Sequence, residues 1–254
     1  MTAGPALGGV LPALSVVLPV YNEAESLLLL WRELQEVLPG LADSAEVIFV
    51  DDGSTDGSGE ILHRLAKDDP RIRLLRFEAN AGLSAAFYAG LQAARGRVIA
   101  TMDSDLQSDP RDIGMLMKYL AEADAVVGWR HVRHDSWLKR LSSRIANGIR
   151  KAVTGDTVHD SACSLRVMRG ECVVAVPPYV GMHRFMPTLL KVAGFRVVQV
   201  RVNHRARRFG RSKFGVSDRA FSAFADLLVV RWMMARRLRY RIAERVNSAA
   251  EDDR

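Results

Sequence analysis

Between residues 14 and 127, short apolar runs alternate with amphipathic stretches at a steady rhythm, and that rhythm leaves few folds open. Ser15–Val20, Val47–Val50, Ile72–Phe77, Val98–Met102 and Ala125–Val127 read as buried strands. Helices are expected over Glu23–Val37, through Ile61–Ala66, over Leu83–Ala94 and near Ile113–Ala121. Continuous apolar strands separated by helices imply an α/β fold with a mainly parallel sheet covered on both faces. In such sheets ligands bind beyond the carboxyl ends of the strands, so the residues that follow each strand matter most. The second half is less regular: a basic helix is expected over Trp137–Val153, strands at Ser164–Met168 and Arg196–Val202, and one or two helices over Asp218–Val246.

At 254 residues the chain fits one large domain or a domain with a short appendage. Residues 1–200 carry 22 Lys and Arg against 23 Asp and Glu, whereas residues 201–254 carry 14 against 6. The positive excess therefore sits in the last fifth and points to a polyanionic partner: phosphates, anionic lipid or nucleic acid. Cys163 and Cys172 match no zinc or redox spacing, and two cysteines are too few for a disulfide framework; a reducing cytoplasm is the simplest compartment. Residues 1–12 are small, uncharged and rich in Gly and Pro, and read as a disordered lead-in and not as a signal peptide. The longest apolar candidate, Phe221–Ala235, is broken by Asp226 and Arg231, so no membrane span is expected.

Polar clusters close four successive strands. Pro19-Val-Tyr-Asn-Glu23 follows the first, where Asn22 is a candidate helix cap. Asp51-Asp52-Gly53-Ser54 follows the second. Adjacent carboxylates at a buried strand end need donors or a cation, and they suit base N–H groups and ribose hydroxyls; a tight turn is the alternative. Neither a dinucleotide nor a triphosphate fingerprint is present, since Leu62 stands where a third glycine belongs and no Lys-Ser/Thr pair follows a glycine loop. Asn80-Ala-Gly82 follows the third strand and suits close backbone approach. Asp103-Ser-Asp105-Leu-Gln107 follows the fourth. Two carboxylates two apart in an extended segment share a face and can bridge a hard divalent cation to a diphosphate.

These pieces, Leu18–Glu23, Val50–Asp56, Asn80–Gly82 and Asp103–Pro110, resemble the family 2 glycosyltransferases of GT-A fold, in particular the polyprenyl-phosphate (dolichol-phosphate mannose synthase-like) branch. The resemblance runs from Leu14 to about Arg130, and through the basic loop His204–Phe214 to roughly residue 215. It implies a GT-A domain over 13–215, a Rossmann-like three-layer α/β/α body, followed by a basic amphipathic helical region over 216–254. Pro19, Tyr21 and Glu23 would line the base pocket, Asp51 and Asp52 would contact base or ribose, and Asn80 and Ser104 would join the nucleotide-sugar set. Asp103, Asp105 and Gln107 would hold Mg2+ or Mn2+ on the diphosphate, Asp105 most directly. Arg130 would face the phosphates, and Arg205, Ser212 and Lys213 would close over donor or acceptor phosphate. Asp105, Asp160, Arg130 and Lys213 are the expected catalytic set. Asp160, within Val158–Arg166, would be a catalytic or sugar-contacting carboxylate, or else a turn cap.

The implied reaction is inverting transfer of a sugar from GDP-mannose or a UDP-sugar to a polyprenyl phosphate. A phosphate acceptor is already ionised and calls for cationic capture more than for a base, from Arg130, Arg133, Arg205, Arg207 and Lys213. His183 and Arg184 are expected near the sugar or acceptor, or at a helix start. His131-x-x-His134 reads as solvated, and Cys163 as a packed residue. The tail sets Leu227, Leu228, Val230, Trp232, Met233 and Met234 beside Arg231, Arg236, Arg237, Arg239 and Arg241, which suits an interfacial helix or a packed one. The expected partners are a nucleotide-sugar, a polyprenyl phosphate, and the cytoplasmic face of a membrane or a membrane-spanning subunit, with a homo-oligomer possible. Transfer to a saccharide hydroxyl is the runner-up. A nucleic-acid-binding protein is disfavoured by the acidic clusters and neutral first 200 residues, and an inactive scaffold by the presence of both Asp103 and Asp105.

Overall fold

The computed structural model describes residues 11–130, 148, 158–209 and 216–236. The expected helix over 137–153, His131, Arg133, His134, Ser212, Lys213, Arg237, Arg239 and Arg241 lie outside them. Seven strands form one sheet in the order β3-β2-β1-β4-β6-β5-β7. They are β1 (Leu14–Val20), β2 (Ala45–Asp51), β3 (Ile72–Arg76), β4 (Val98–Thr101), β5 (Ala125–Arg130), β6 (Arg166–Arg169) and β7 (Val197–Val202). The helices are α1 (Ala24–Val37), α2 (Ser58–Asp68), α3 (Leu83–Ala93), α4 (Arg111–Lys118), α5 (Met182–Ala193) and α6 (Val216–Ala235).

Side chains alternate across a strand, and β1 shows what that does here. Val16, Leu18 and Val20 pack with Leu27, Leu30 and Leu34 of α1, Leu62 of α2, and Ile113 and Leu116 of α4. Val17 faces the other way, into Phe87 and Leu91 of α3, Met186 and Leu190 of α5, and Leu227 and Val230 of α6. Two apolar layers on opposite faces of one sheet make the expected α/β/α sandwich. α6 buries Leu227 and Val230 in the second layer, so these residues pack on the sheet.

The sheet is parallel except for β6, which runs antiparallel to both β4 and β5. From β1 the chain first moves outward to β2 and β3, then returns to β4 on the other side. The crevice between β1 and β4 is therefore the topological switch point, and both the Pro19–Glu23 and Asp103–Gln107 clusters open into it. Pro19 is tolerated in a central strand because its β4 neighbour has already ended. Pairing with β4 stops at Val17, and the Pro19 carbonyl accepts a hydrogen bond from the Ser104 hydroxyl at 2.7 Å.

Candidate active site

Three loops meet at the ends of β1, β2 and β3, and they hold one another by exchanged polar contacts. Asn22 is not the cap of α1. Its backbone is left-handed (φ 52), and its side chain accepts the Thr55 N–H at 2.8 Å across the crevice. The start of α1 is satisfied from the next loop instead: Ser58 Oγ accepts from Glu23 N–H, and Asp56 accepts from Ala24 N–H. Asp56 also accepts the N–H of Ser58, so one carboxylate serves the first turns of two helices. Gly53 is required twice over: its φ is +68, and a Cβ there would stand 2.6 Å from the backbone of Ala79 and of Asn80. Gly53→Ala should cost roughly 1–3 kcal/mol, read as a lowered thermal midpoint as the Asn80 loop is pushed away.

The paired carboxylates of this region are engaged inside the protein. Asp51 is fully buried, accepts the Ser54 N–H at 2.9 Å and lies 3.1 Å from Arg76 Nε. Asp52, only 3% exposed, accepts from the Asn80 amide and from the backbone N–H groups of Ala81 and Gly82. Burial pushes the Asp52 carboxyl up, and those backbone donors pull it back. Both are expected to touch base or ribose; Asp52 fixes the loop that carries Asn80, while Asp51 meets Ser54 and Arg76. Ser104 likewise spends its hydroxyl on the Pro19 carbonyl.

Asp103 follows the end of β4, and Asp105 lies in the bend that begins at Ser104. The bend is strained: the buried Leu106 has φ 62, an uncommon conformation for a branched side chain. It brings the two carboxylates within electrostatic reach. Close surroundings, and then the Asp105 charge, push the Asp103 carboxyl up to about 6, while Ser164, Arg130 and Arg166 pull the other way. Like charges held together at a strand end call for a cation. Among the described residues, no group of three or more His, Cys, Asp and Glu side chains surrounds one point. Two carboxylates with positions open for a diphosphate fit a cation shared with a ligand, as Mg2+ is commonly held.

Asp160 approaches from the segment that leads into β6. It is 6% exposed and grips Arg130 by two parallel bonds, Nε–Oδ2 at 2.8 Å and Nη2–Oδ1 at 2.9 Å. Burial alone would lower the Arg130 pKa, but the bonds and charge of Asp160 hold it above the usual guanidinium range. Arg166, 2% exposed, was singled out by no sequence signal, because it reads as one polar residue in a strand. Its guanidinium donates to the carbonyls of Ser161 and His183, and its charge acts on both Asp103 and Asp160. Burial pushes the Cys163 thiol up to about 11, as suits a packed residue and not a nucleophile. His183 sits in the first turn of α5, its Nδ1 2.8 Å from the Ser84 hydroxyl. A stack of Arg201, Trp129 and His159 steadies the residue beside Asp160.

The basic segment after β7 lies across the rim. Asn203 is tied to Asp112, which accepts its backbone N–H at 2.8 Å. Arg205, expected to close over a diphosphate, is engaged elsewhere: its guanidinium pairs with Glu33 at 2.8 Å and Asp109 at 2.6 Å. Gln107, expected as a metal ligand, holds that strap, accepting the Arg205 N–H on its own carbonyl at 2.9 Å while its side-chain amide reaches the Arg205 carbonyl. The guanidinium of this segment that meets Asp105 is Arg207, 2.5 Å from Asp105 Oδ2 and 3.8 Å from Glu23 Oε1. Tyr21 and Glu23 border the same opening, both partly buried.

Comparison with known proteins bears on this arrangement. The family description "Glycosyl transferase family 2" matches residues 15–173. A dodecaprenyl-phosphate galacturonate synthase from Rhizobium johnstonii is 37% identical over 87% of this chain and 67% of its own length. An undecaprenyl-phosphate 4-deoxy-4-formamido-L-arabinose transferase from Edwardsiella ictaluri is 34% identical over 80% of this chain and 63% of its own. The chain thus spans about two thirds of the length of such relatives. Among solved structures, a mannosyltransferase from Pyrobaculum calidifontis in complex with GDP-mannose and Mn2+ superposes with a TM-score of 0.62 at 22% identity, covering 89% of this chain and 64% of that one. Glucosyl-3-phosphoglycerate synthase from Mycobacterium tuberculosis, in complex with Mn2+, UDP and phosphoglyceric acid, gives 0.64 at 20%, covering 88% and 78%. At these identities the two structures establish the shared GT-A fold.

Proposed function

As the chain belongs to glycosyl transferase family 2, we propose that it moves a sugar from a nucleotide-sugar to a polyprenyl phosphate, with a divalent cation held at Asp103 and Asp105. The observation that carries this reading is the acidic pair itself, set at the switch point of the sheet and faced by guanidiniums. That geometry matches a leaving nucleoside diphosphate, on which negative charge gathers in the transition state. Bound there, Mg2+ or Mn2+ would neutralise that charge. The protein's own groups supply the rest. Tyr21 and Glu23 border the nucleotide side, Arg130 and Arg207 offer bidentate donors to phosphate, and Asp160 orients Arg130 beside the sugar. Support for the acceptor comes from the two relatives above, whose names both specify a polyprenyl phosphate.

The test is incubation with a panel of labelled UDP- and GDP-sugars, polyprenyl phosphate and Mn2+, followed by extraction into organic solvent. Label in the lipid phase supports the proposal. Label found only on added glycan would replace it with transfer to a saccharide hydroxyl.

A lipid acceptor puts the reaction at a membrane surface, yet no described helix is long and apolar enough to cross one. The outer side of α6 exposes Leu228, Val229 and Trp232 next to Arg231 and Arg236, opposite the buried Leu227 and Val230. Apolar side chains flanked by Arg suit an interfacial helix on anionic lipid. Replacing Leu228 and Trp232 by Ser should lower cosedimentation with anionic vesicles severalfold and leave neutral vesicles unaffected; equal sedimentation would reject this contact.

Cation binding should also depend on pH with a definite sign. Asp103 carries a proton below about 6 in the folded protein, against 3.8 for an ordinary aspartate. Its proton favours the folded state, an effect complete below 3.8 and lost as pH rises through about 6. A cation needs the ionised form, so Mn2+ affinity should fall steeply as pH drops from 7 to 5, by about tenfold per unit once below the pKa. A flat profile by calorimetry would contradict the assignment of Asp103.

A further inference from the structure

Arg207 meets an oxygen that the proposed cation also needs. Its terminal nitrogen lies 2.5 Å from Asp105 Oδ2. A hard divalent ion would sit nearer still to that carboxylate, and a guanidinium could not remain in contact with both. The strap that carries Arg207 is fastened independently of this pair. Arg205 is held by Glu33 and Asp109, Asn203 by Asp112, and the Arg205 backbone by Gln107. Release of Asp105 therefore asks only that the Arg207 side chain swing, not that the strap undock. A second acidic partner is already at hand in Glu23, 3.8 Å from the other terminal nitrogen.

We propose that Arg207 is a built-in counter-cation, which occupies Asp105 in the donor-free protein and is displaced when cation and nucleoside diphosphate bind together. This rests on the metal-dependent reading above and goes beyond it, because it fixes how the two ligands are linked. A cation arriving alone must evict Arg207 and leaves two positive groups side by side. A cation arriving with a diphosphate gives the displaced guanidinium phosphate oxygens to hold, for which its planar fork is well matched. Each ligand therefore raises the affinity of the other by the same factor. Without donor, the site stays charge-compensated and takes up metal poorly.

Mn2+ binding, followed by the loss of the free-ion paramagnetic signal, tests this without any turnover. Wild type, Arg207→Gln and Glu33→Gln are each titrated with Mn2+ alone, with Mn2+ plus UDP, and with Mn2+ plus GDP. Arg207→Gln should bind Mn2+ alone roughly tenfold more tightly than wild type, and the gain that the diphosphate adds should shrink. Glu33→Gln, which loosens the strap far from the carboxylates, should change both quantities in the same direction but less. If wild type and Arg207→Gln bind Mn2+ equally in every condition, the metal site stands and the displacement is refuted. If neither binds Mn2+ under any condition while both remain folded by circular dichroism, the metal-dependent reading itself fails.

Discussion

Asp105→Ala should stop sugar transfer, by roughly a thousandfold or more, in a protein that still folds. The loss is large because Asp105 would share the cation that steadies the departing diphosphate, and Asp103 alone offers one carboxylate where two are needed. The fold should survive because the residue's structural contacts are few. The Gln107 N–H loses an acceptor at 3.1 Å, worth about 1 kcal/mol. Arg207 is not stranded, since its side chain is 30% exposed and keeps Glu23 nearby. Removing one of two like charges also relieves Asp103. Labelled transfer and thermal melting, measured on the same preparation, check both halves; wild-type turnover would remove the cation from the reaction.

Arg130→Met should instead unsettle the whole protein. Asp160 is 6% exposed, and two of its bonds end on this guanidinium. Taking away the guanidinium strips a buried carboxylate of two charge-assisted bonds, while the residue-130 N–H and the Arg166 charge still act on it, at a cost of up to about 3–5 kcal/mol. For a chain of this size that is a drop in melting temperature on the order of 10 °C. Adding Asp160→Leu removes that carboxylate as well and should recover most of the lost stability, because an apolar pair can replace a buried ion pair with little penalty. Activity should stay low in the double variant if the pair serves the reaction. Recovery of both stability and turnover would make Arg130 and Asp160 a scaffold only.

The sandwich was legible in the sequence because its signals are local and redundant. The first four strands are short, largely apolar runs, each followed by a helix, and the ends of elements shifted: Ala125–Val127 extends to Arg130, and Val47–Val50 to Ala45–Asp51. The direction of β6 was not legible. A short apolar run carries no mark of parallel or antiparallel pairing, and its partners, β4 and β5, are distant in sequence. At the rim, the residue types were readable but their partners were not. Asp52 and Asp103 are both acidic residues just past a strand end, yet one is enclosed by Asn80, Ala81 and Gly82 while the other stays at the opening. In the same way Arg205 and Arg207 lie two positions apart in a segment without regular structure, yet they meet different partners. One meets Glu33 and Asp109, the other Asp105. Which of the two faces the ligand follows from the distant Glu33 on α1, and nothing near residue 205 announces it.

The antiparallel course of β6 means that this strand reaches the rim with its beginning, whereas its parallel neighbours reach it with their ends. The stretch that delivers Asp160 and Ser164 therefore enters the rim beside β4, where Ser164 accepts the Asp103 N–H. On the function proposed above, exchanging that stretch would alter the sugar side and the surroundings of Asp103 together, because Ser164 and Arg166 both act on that carboxylate.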